Sequence, residues 1–302
     1  MNISLLTMSV KKELWEFNKL LLWVPIIILT MMVAAPLLQL MIIEDYQWNG
    51  LLNFLTQLQH RSLDEGLAQF SFAAIQGLFI PFMVVAVIIQ LYYFLVCLFD
   101  ERRDMSIYFW RSMPISDAAT IGTKLFTGAF VIPGIFMLAA TVTLLIAILL
   151  AAVFCLVLSS GYDISLWHIW GSFDIFSNIL LIWLSLFPFV LWLFPLFAWL
   201  MLMSMFANKA PFLWALLPII MLVLVEAFIV HYFNFNSSFF IQALTDYFGI
   251  NDNTLRDNFT HESAMHLMPM KVLMSKVSVI AVAVGAGLMY LTYWLRVNRS
   301  HL

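Results

Sequence analysis

Charge is what this sequence has least of. Asp, Glu, Lys and Arg make up 10% of its 302 residues, against roughly 25% in an ordinary soluble chain. With so thin a polar coat, a water-soluble fold would leave much of its 28 Phe, 18 Met and 11 Trp facing solvent, so that class is excluded. Cysteine is nearly absent. Cys97 and Cys155 each lie inside an apolar tract and offer neither a disulfide framework nor a zinc cluster. A net charge of −3 gives no electrostatic footprint for nucleic acid. Repeats and low-complexity tracts are missing as well, which removes the collagen-like and disordered classes.

What is present is long apolar runs. A bilayer core of about 30 Å needs about 20 apolar helical residues, and six tracts qualify. They run from about Leu20 to Ile43, Phe70 to Phe99, Thr120 to Leu158, Asn178 to Phe206, Phe212 to Val230 and Val272 to Leu295. The expected fold is therefore all-α: a polytopic membrane protein with one transmembrane domain over residues 1–302. The first tract is too long for a cleaved signal peptide, and no small-x-small site follows it, so it reads as a retained signal-anchor.

The third tract needs a decision. Its 39 residues would reach about 58 Å as a helix, too long for one simple crossing. Its only break is Pro133-Gly134; the piece before it is short and carries Lys124, and no turn chemistry follows up to Leu158. It is read as one long or kinked helix. Pro81, Pro188 and Pro195 predict further kinks. With both termini cytoplasmic, ten Lys and Arg lie inside and four outside, as the positive-inside rule requires. Splitting the third tract gives the same count, so turn chemistry decides that point and charge does not.

Between the spans, residues 44–69 carry Leu51, Leu52, Leu55, Leu58 and Leu63 at the spacing of an amphipathic surface helix. Residues 231–270 mix aromatic and polar residues and read as short helices at the outer mouth. Residues 1–19 read as a cytoplasmic interfacial helix. Leu5, Leu6, Val10, Leu14 and Phe17 form its apolar face, Lys11, Lys12, Glu13, Glu16 and Lys19 lie elsewhere, and Trp15 suits the interface. It serves either as an anchor or as a docking element.

Residues 100–117 stand apart, with seven charges in eighteen positions. Met105, Phe109 and Met113 recur every fourth residue, with Tyr108 beside them, giving a short amphipathic helix. Pro114 stops it, and Ser116 or Asp117 can cap the next helix. Such a segment suits a lever whose apolar face enters a partner's groove; the plain alternative is a basic stop-transfer loop. Glu101-Arg102, the amphipathic stretch and Pro114-x-Ser116 together resemble the coupling-loop signature of type-2 ATP-binding-cassette (ABC) exporter permeases. The rest of the layout agrees, although the segment before the sixth span is longer than is usual there.

The resemblance implies that Glu101, Arg102, Arg103, Tyr108, Phe109, Trp110, Arg111, Pro114, Ser116 and Asp117 couple this chain to a separate cytoplasmic ATP-binding subunit. It also implies that a second permease protomer, identical or not, completes a pathway through the cytoplasmic (inner) membrane. ATP and Mg would belong to the partner, with no cofactor here, since G-x-x-x-x-G-K-S/T is absent. Leu158-Ser159-Ser160-Gly161 only echoes a nucleotide signature and lies in a span.

Polar residues inside spans are the remaining candidates. Gln76 and Gln90, fourteen residues apart with Met83 between, share one face of the second span; they line a pathway or make interhelical hydrogen bonds. Glu226 lies about one turn from the outer end of the fifth span. It reads as a pathway or proton contact, or as a carboxylate reaching the interface or a neighbouring helix, and the second reading is favoured. His261, Glu262 and His266 miss the H-E-x-x-H spacing by one residue, so no metal is expected. Asn236 and Asn258 begin glycosylation sequons, a weak signal. Two other functions compete: an ion-driven transporter using Glu226, which lacks repeat symmetry, and a scaffold that recruits a cytoplasmic protein through residues 100–117.

Overall fold

The computed structural model describes residues 3–60, 64–105, 115–167, 170, 175–233, 238–249 and 268–298. Among these residues there is helix and no strand, and six helical segments are long and apolar enough to cross a bilayer. The chain is an all-α polytopic membrane protein. In hydrocarbon a spanning segment must satisfy its own backbone, and helices do so within one segment. The elements are α1 (Ile3–Glu16), α2 (Asn18–Ile42), α3 (Asp45–His60), α4 (Asp64–Val96) and α5 (Phe99–Arg103). They continue as α6 (Asp117–Phe126), a π turn (Thr127–Val131), α7 (Ile132–Gly161), α8 (Ile175–Leu184) and α9 (Leu186–Phe206). The last are α10 (Pro211–Phe233), α11 (Phe239–Phe248), α12 (Met268–Lys276) and α13 (Val279–Asn298).

The sixth span begins at Val279, not Val272 as its hydropathy suggests. Residues 272–276 belong instead to α12, whose Lys276 ammonium donates to the backbone carbonyls of Asp246 (2.9 Å) and Gly249 (2.5 Å). A lysine held on those carbonyls is kept out of hydrocarbon, and the span starts after it.

The chain folds as two compact units. The first comprises Met1–Trp15, Ile88–Val131 and Leu184–Leu302. Its centre is α9 against α13, brought close by a small residue: a Cβ on Gly285 would stand 2.7 Å from Phe194 and 3.1 Å from Pro195. Small residues at such crossings are how membrane helices gain packing where lipid supplies no hydrophobic drive. Phe94 stacks on Phe197 with centroids 4.6 Å apart, both fully buried. On α10, Ala215 accepts from Trp199 Nε1 at 3.2 Å, and Trp214 meets Phe206 edge-on.

The third tract is continuous helix from Asp117 to Gly161 with one irregularity, the π turn. Its cause is Pro133. Proline has no N–H for the carbonyl of Ala129, four residues back, or of Gly128, five back. A side chain from α4 replaces it: Gln90 Nε2 donates to Gly128 O at 2.9 Å and to Ala129 O at 3.4 Å. Orphaned carbonyls at a proline in a span need such a partner. Gly128 is required there, because a Cβ would lie 2.4 Å from the Phe94 ring. At 45 residues this helix has more than twice the about 20 that a bilayer core needs.

Chain geometry also bears on the number of crossings. Arg102, at the C-terminal end of the second span, donates to Ser204 O and Ala207 O at the C-terminal end of the fourth. Those ends share one side, which requires an even number of crossings between them. One pass of the third tract agrees with that arrangement.

The second unit comprises Glu16–Val87 and Ile132–Trp183, with α2 packed on α7. The amphipathic reading of residues 44–69 holds for α3, whose Leu52 and Leu55 pack on a cluster of Cys155, Leu158, Ile164 and Leu166. Trp48 of α3 donates to the Tyr162 hydroxyl at 3.2 Å. Trp183 of α8 donates to Thr141 of α7 at 3.3 Å.

Candidate functional site

The most unusual chemistry in the chain is a lattice of buried charges in the first unit, assembled from four places in the sequence. Glu13 comes from α1, Glu101 from α5, Lys124 and Asp117 from α6, and Arg296 from the last turn of α13. Lys124 Nζ lies 2.8 Å from Glu13 Oε1 and 3.1 Å from Glu101 Oε1. Lys12 Nζ is 3.3 Å from Glu101 Oε1 and 3.7 Å from Glu13 Oε1. Arg296 takes the other side of Glu101, with Nη1 3.1 Å from Oε2, and its Nε donates to Asp117 Oδ1 at 2.9 Å. Tyr93 completes Glu13 by donating its hydroxyl to Oε2 at 2.9 Å.

Lys124 and Arg296 are each 1% exposed, Glu13 3% and Glu101 5%. Charges this far from water persist only when paired and hydrogen-bonded. Here three carboxylates meet three cations. The lattice cannot lose one member cheaply, because an uncompensated buried charge costs several kcal/mol where the intact pair is close to neutral in stability.

A second clasp sits beside it. The hydroxyl of Ser204, fully buried on α9, accepts from the backbone N–H of Leu98 (3.2 Å) and Phe99 (3.0 Å) where α4 ends and α5 begins. Arg102 returns the contact through the Ser204 and Ala207 carbonyls, the last turn of α9. A guanidinium on C-terminal carbonyls also suits the helix dipole. Ser116, in extended conformation, N-caps α6 by accepting from Ala119 N at 3.2 Å. Both flanks of the 100–117 segment are thus fixed to helices of the first unit.

The described residues singled out in that segment divide into three sets. Glu101 and Asp117 face the lattice, so Glu101 is not a surface contact for a partner. Arg102 and Ser116 are structural clasps. Arg103 is exposed, pairing with Asp100 and Asp104 at 3.0 Å each, and Met105 beside it is exposed with φ of 57°. Tyr108, Phe109, Trp110, Arg111 and Pro114 lie outside the described residues, as does all but Met105 of the helix expected over 105–113. Glu13 belongs inside, not on the polar face of α1 where its neighbours Lys11 and Lys12 suggested it. Lys124, Arg296, Tyr93 and Ser204 carried no sequence signal beyond being polar residues in apolar company.

The candidates inside spans are placed as follows. Gln90 is fully buried and bonded to the π turn, an interhelical strut. Gln76 and Met83 on α4 are half-buried. Glu226 accepts from the backbone N–H of Phe240 (2.5 Å) and Ile241 (2.9 Å), the first turn of α11. An acid there satisfies orphan donors and complements the helix dipole. Glu226→Gln should therefore speed amide exchange at Phe240 and Ile241 while leaving the melting temperature nearly unchanged, as hydrogen-exchange mass spectrometry and thermal unfolding in detergent would report. Tyr247 at the other end of α11 donates to Trp192 O at 2.5 Å, and burial pushes its phenol pKa up, keeping the donor proton in place.

Among the described residues no group of three His, Cys, Asp or Glu is placed to hold a metal, and Cys97 and Cys155 are both buried free thiols. His261, Glu262 and His266 lie outside those residues. No protein-family model, curated protein or solved structure matches this chain.

Proposed function

We propose that the chain is the membrane subunit of an ABC exporter, coupled at the cytoplasmic side of the cell's inner membrane to a separate ATP-hydrolysing subunit. The observation that carries this reading is the double anchorage of residues 100–117. One flank is tied through Glu101 to α1, α6 and α13 and through Ser204 to α9; the other is tied through Asp117 to Arg296. A loop between two spans needs no such fixture if it merely connects them. A loop that takes force from a partner does, because its displacement must reach the helices undiminished. On this reading Arg103, Asp104 and Met105 open the docking surface, Tyr108 to Arg111 provide its body, and nucleotide and Mg stay with the partner. A second protomer completes the pathway for an amphipathic or apolar substrate.

The ion-coupled alternative is weakened because its one intramembrane carboxylate, Glu226, is already occupied by two amides. Trp110→Ala combined with Arg111→Ala should abolish co-purification with the ATPase subunit while the chain still reaches the membrane; unchanged co-purification sinks the docking assignment. The orientation has its own test. Single cysteines introduced at Ser160, Lys209 and Asn298 should react with a membrane-impermeant maleimide from outside only at position 160. Outside labelling at position 298 would invert the topology and remove the cytoplasmic partner.

A further inference from the structure

The second unit contains a cleft of about 340 Å³ between the N-terminal half of α4 and the C-terminal half of α7. Along α7 its wall is the stripe Leu144, Ala147, Ala151 and Cys155, one face of the helix, whose two alanines leave room for the slot. Ala74 and Leu78 of α4 face them. Cys155, Leu166 and Trp170 close one end, and these same residues belong to the cluster sealed by Leu52 and Leu55 of α3. Burial grades from 5% at Ile75 and Leu144 to an exposed rim at Ala74 and Ala151. The open side is therefore continuous with the exposed face carrying Leu145 and Leu149, which in a bilayer meets lipid.

Chemistry narrows the occupant. A water needs two or more polar partners, and among the described lining residues the side chains offer only the Trp170 indole N–H and the weakly polar Cys155 thiol. An extended polypeptide segment would bring amides that nothing here satisfies. Left empty, the walls forfeit their dispersion contacts on one side. The volume falls within the roughly 300–1,000 Å³ of small-ligand sites. The solvent at this depth is hydrocarbon chain, and a slot open along one side and stopped at one end matches a linear chain. We infer that the cleft between α4 and α7 is a binding site for one acyl chain of a bilayer phospholipid. This assignment uses no residue of the charge lattice and stands or falls independently of the exporter reading.

The test uses the full-length protein in phosphatidylcholine–phosphatidylglycerol nanodiscs doped with a phosphatidylcholine that carries a diazirine in one acyl chain. After irradiation, adducts should concentrate on residues 144–155 and Leu166, above the level on Leu213, Leu217 and Leu224 of lipid-facing α10. Ala147→Phe with Ala151→Phe should cut the cleft adducts about tenfold, a difference of about 1.4 kcal/mol in occupancy, and leave those on α10 unchanged. Ala74→Leu narrows the slot from the opposite wall and gives the same readout should the Phe pair fail to fold. Equal labelling of cleft and α10, or cleft labelling indifferent to both fillings, would mean ordinary annular contact and overturn the site. Labelling by a free diazirine fatty acid without labelling by the phospholipid would reject the phospholipid as occupant.

Discussion

Lys124→Met should destabilise the protein by about 3–5 kcal/mol, the usual penalty for breaking a buried ion pair from one side. Lys124 is the cation that Glu13 and Glu101 share, at 2.8 and 3.1 Å. Without it two nearly sealed carboxylates must rely on Lys12 and Arg296, and only Lys12 reaches Glu13. Thermal or denaturant unfolding in mild detergent would show the loss. The double variant Lys124→Met with Glu13→Gln removes one charge of each sign and should recover a large part of it, because a neutralised pair costs far less than a stranded partner. Were the double variant as unstable as the sum of its singles, the residues would act independently and the lattice would not be a unit. Applied to the exporter reading, the same pair separates support from coupling: the double variant should fold and bind the ATPase, whose ATP hydrolysis persists, yet the complex should transport less per ATP.

The second large effect concerns the π turn. Gln90→Leu keeps the volume of the side chain but removes the amide that serves Gly128 O and Ala129 O. Two buried carbonyls lose their donor, at about 1–3 kcal/mol for each left unsatisfied. Pro133→Ala introduces an N–H within reach of one of those carbonyls, so the pair Gln90→Leu with Pro133→Ala should be more stable than Gln90→Leu alone. That sign reversal is the informative outcome. Strict additivity would mean that Pro133 is not the reason for the irregular turn.

These two sites show where sequence reasoning reaches and where it stops. Hydropathy locates the spans because each residue's transfer from water to lipid is a property of that residue. The apolar face of α3 is legible for the same reason, since Leu52 and Leu55 repeat within one helix. The lattice is a pairing phenomenon: Lys12 meets Glu101 across 89 positions, Lys124 meets Glu13 across 111, and Arg296 meets Glu101 across 195. No local pattern encodes such distances. Lys124 looked like a reason to keep a short tract out of the bilayer, and Glu13 like one more polar residue on a surface helix. Gln90 was visible as an intramembrane amide, and Pro133 as a break, but their connection needed the register of α4 against the third span. Glu226 stands out in the sequence as a carboxylate within a span; that it ends on the first turn of α11 depends on a chain reversal that composition does not describe.

That arrangement around α11 has a mechanical corollary. Glu226 of α10 grips its first turn, Lys276 of α12 its last carbonyls, and Tyr247 joins it to Trp192 of α9. A ten-residue rod fastened at both ends and at one flank behaves as a crossbar of fixed length, about 15 Å. The helices it joins cannot spread at that end unless a fastening breaks, so any widening there must carry crossbar and helices together as one body.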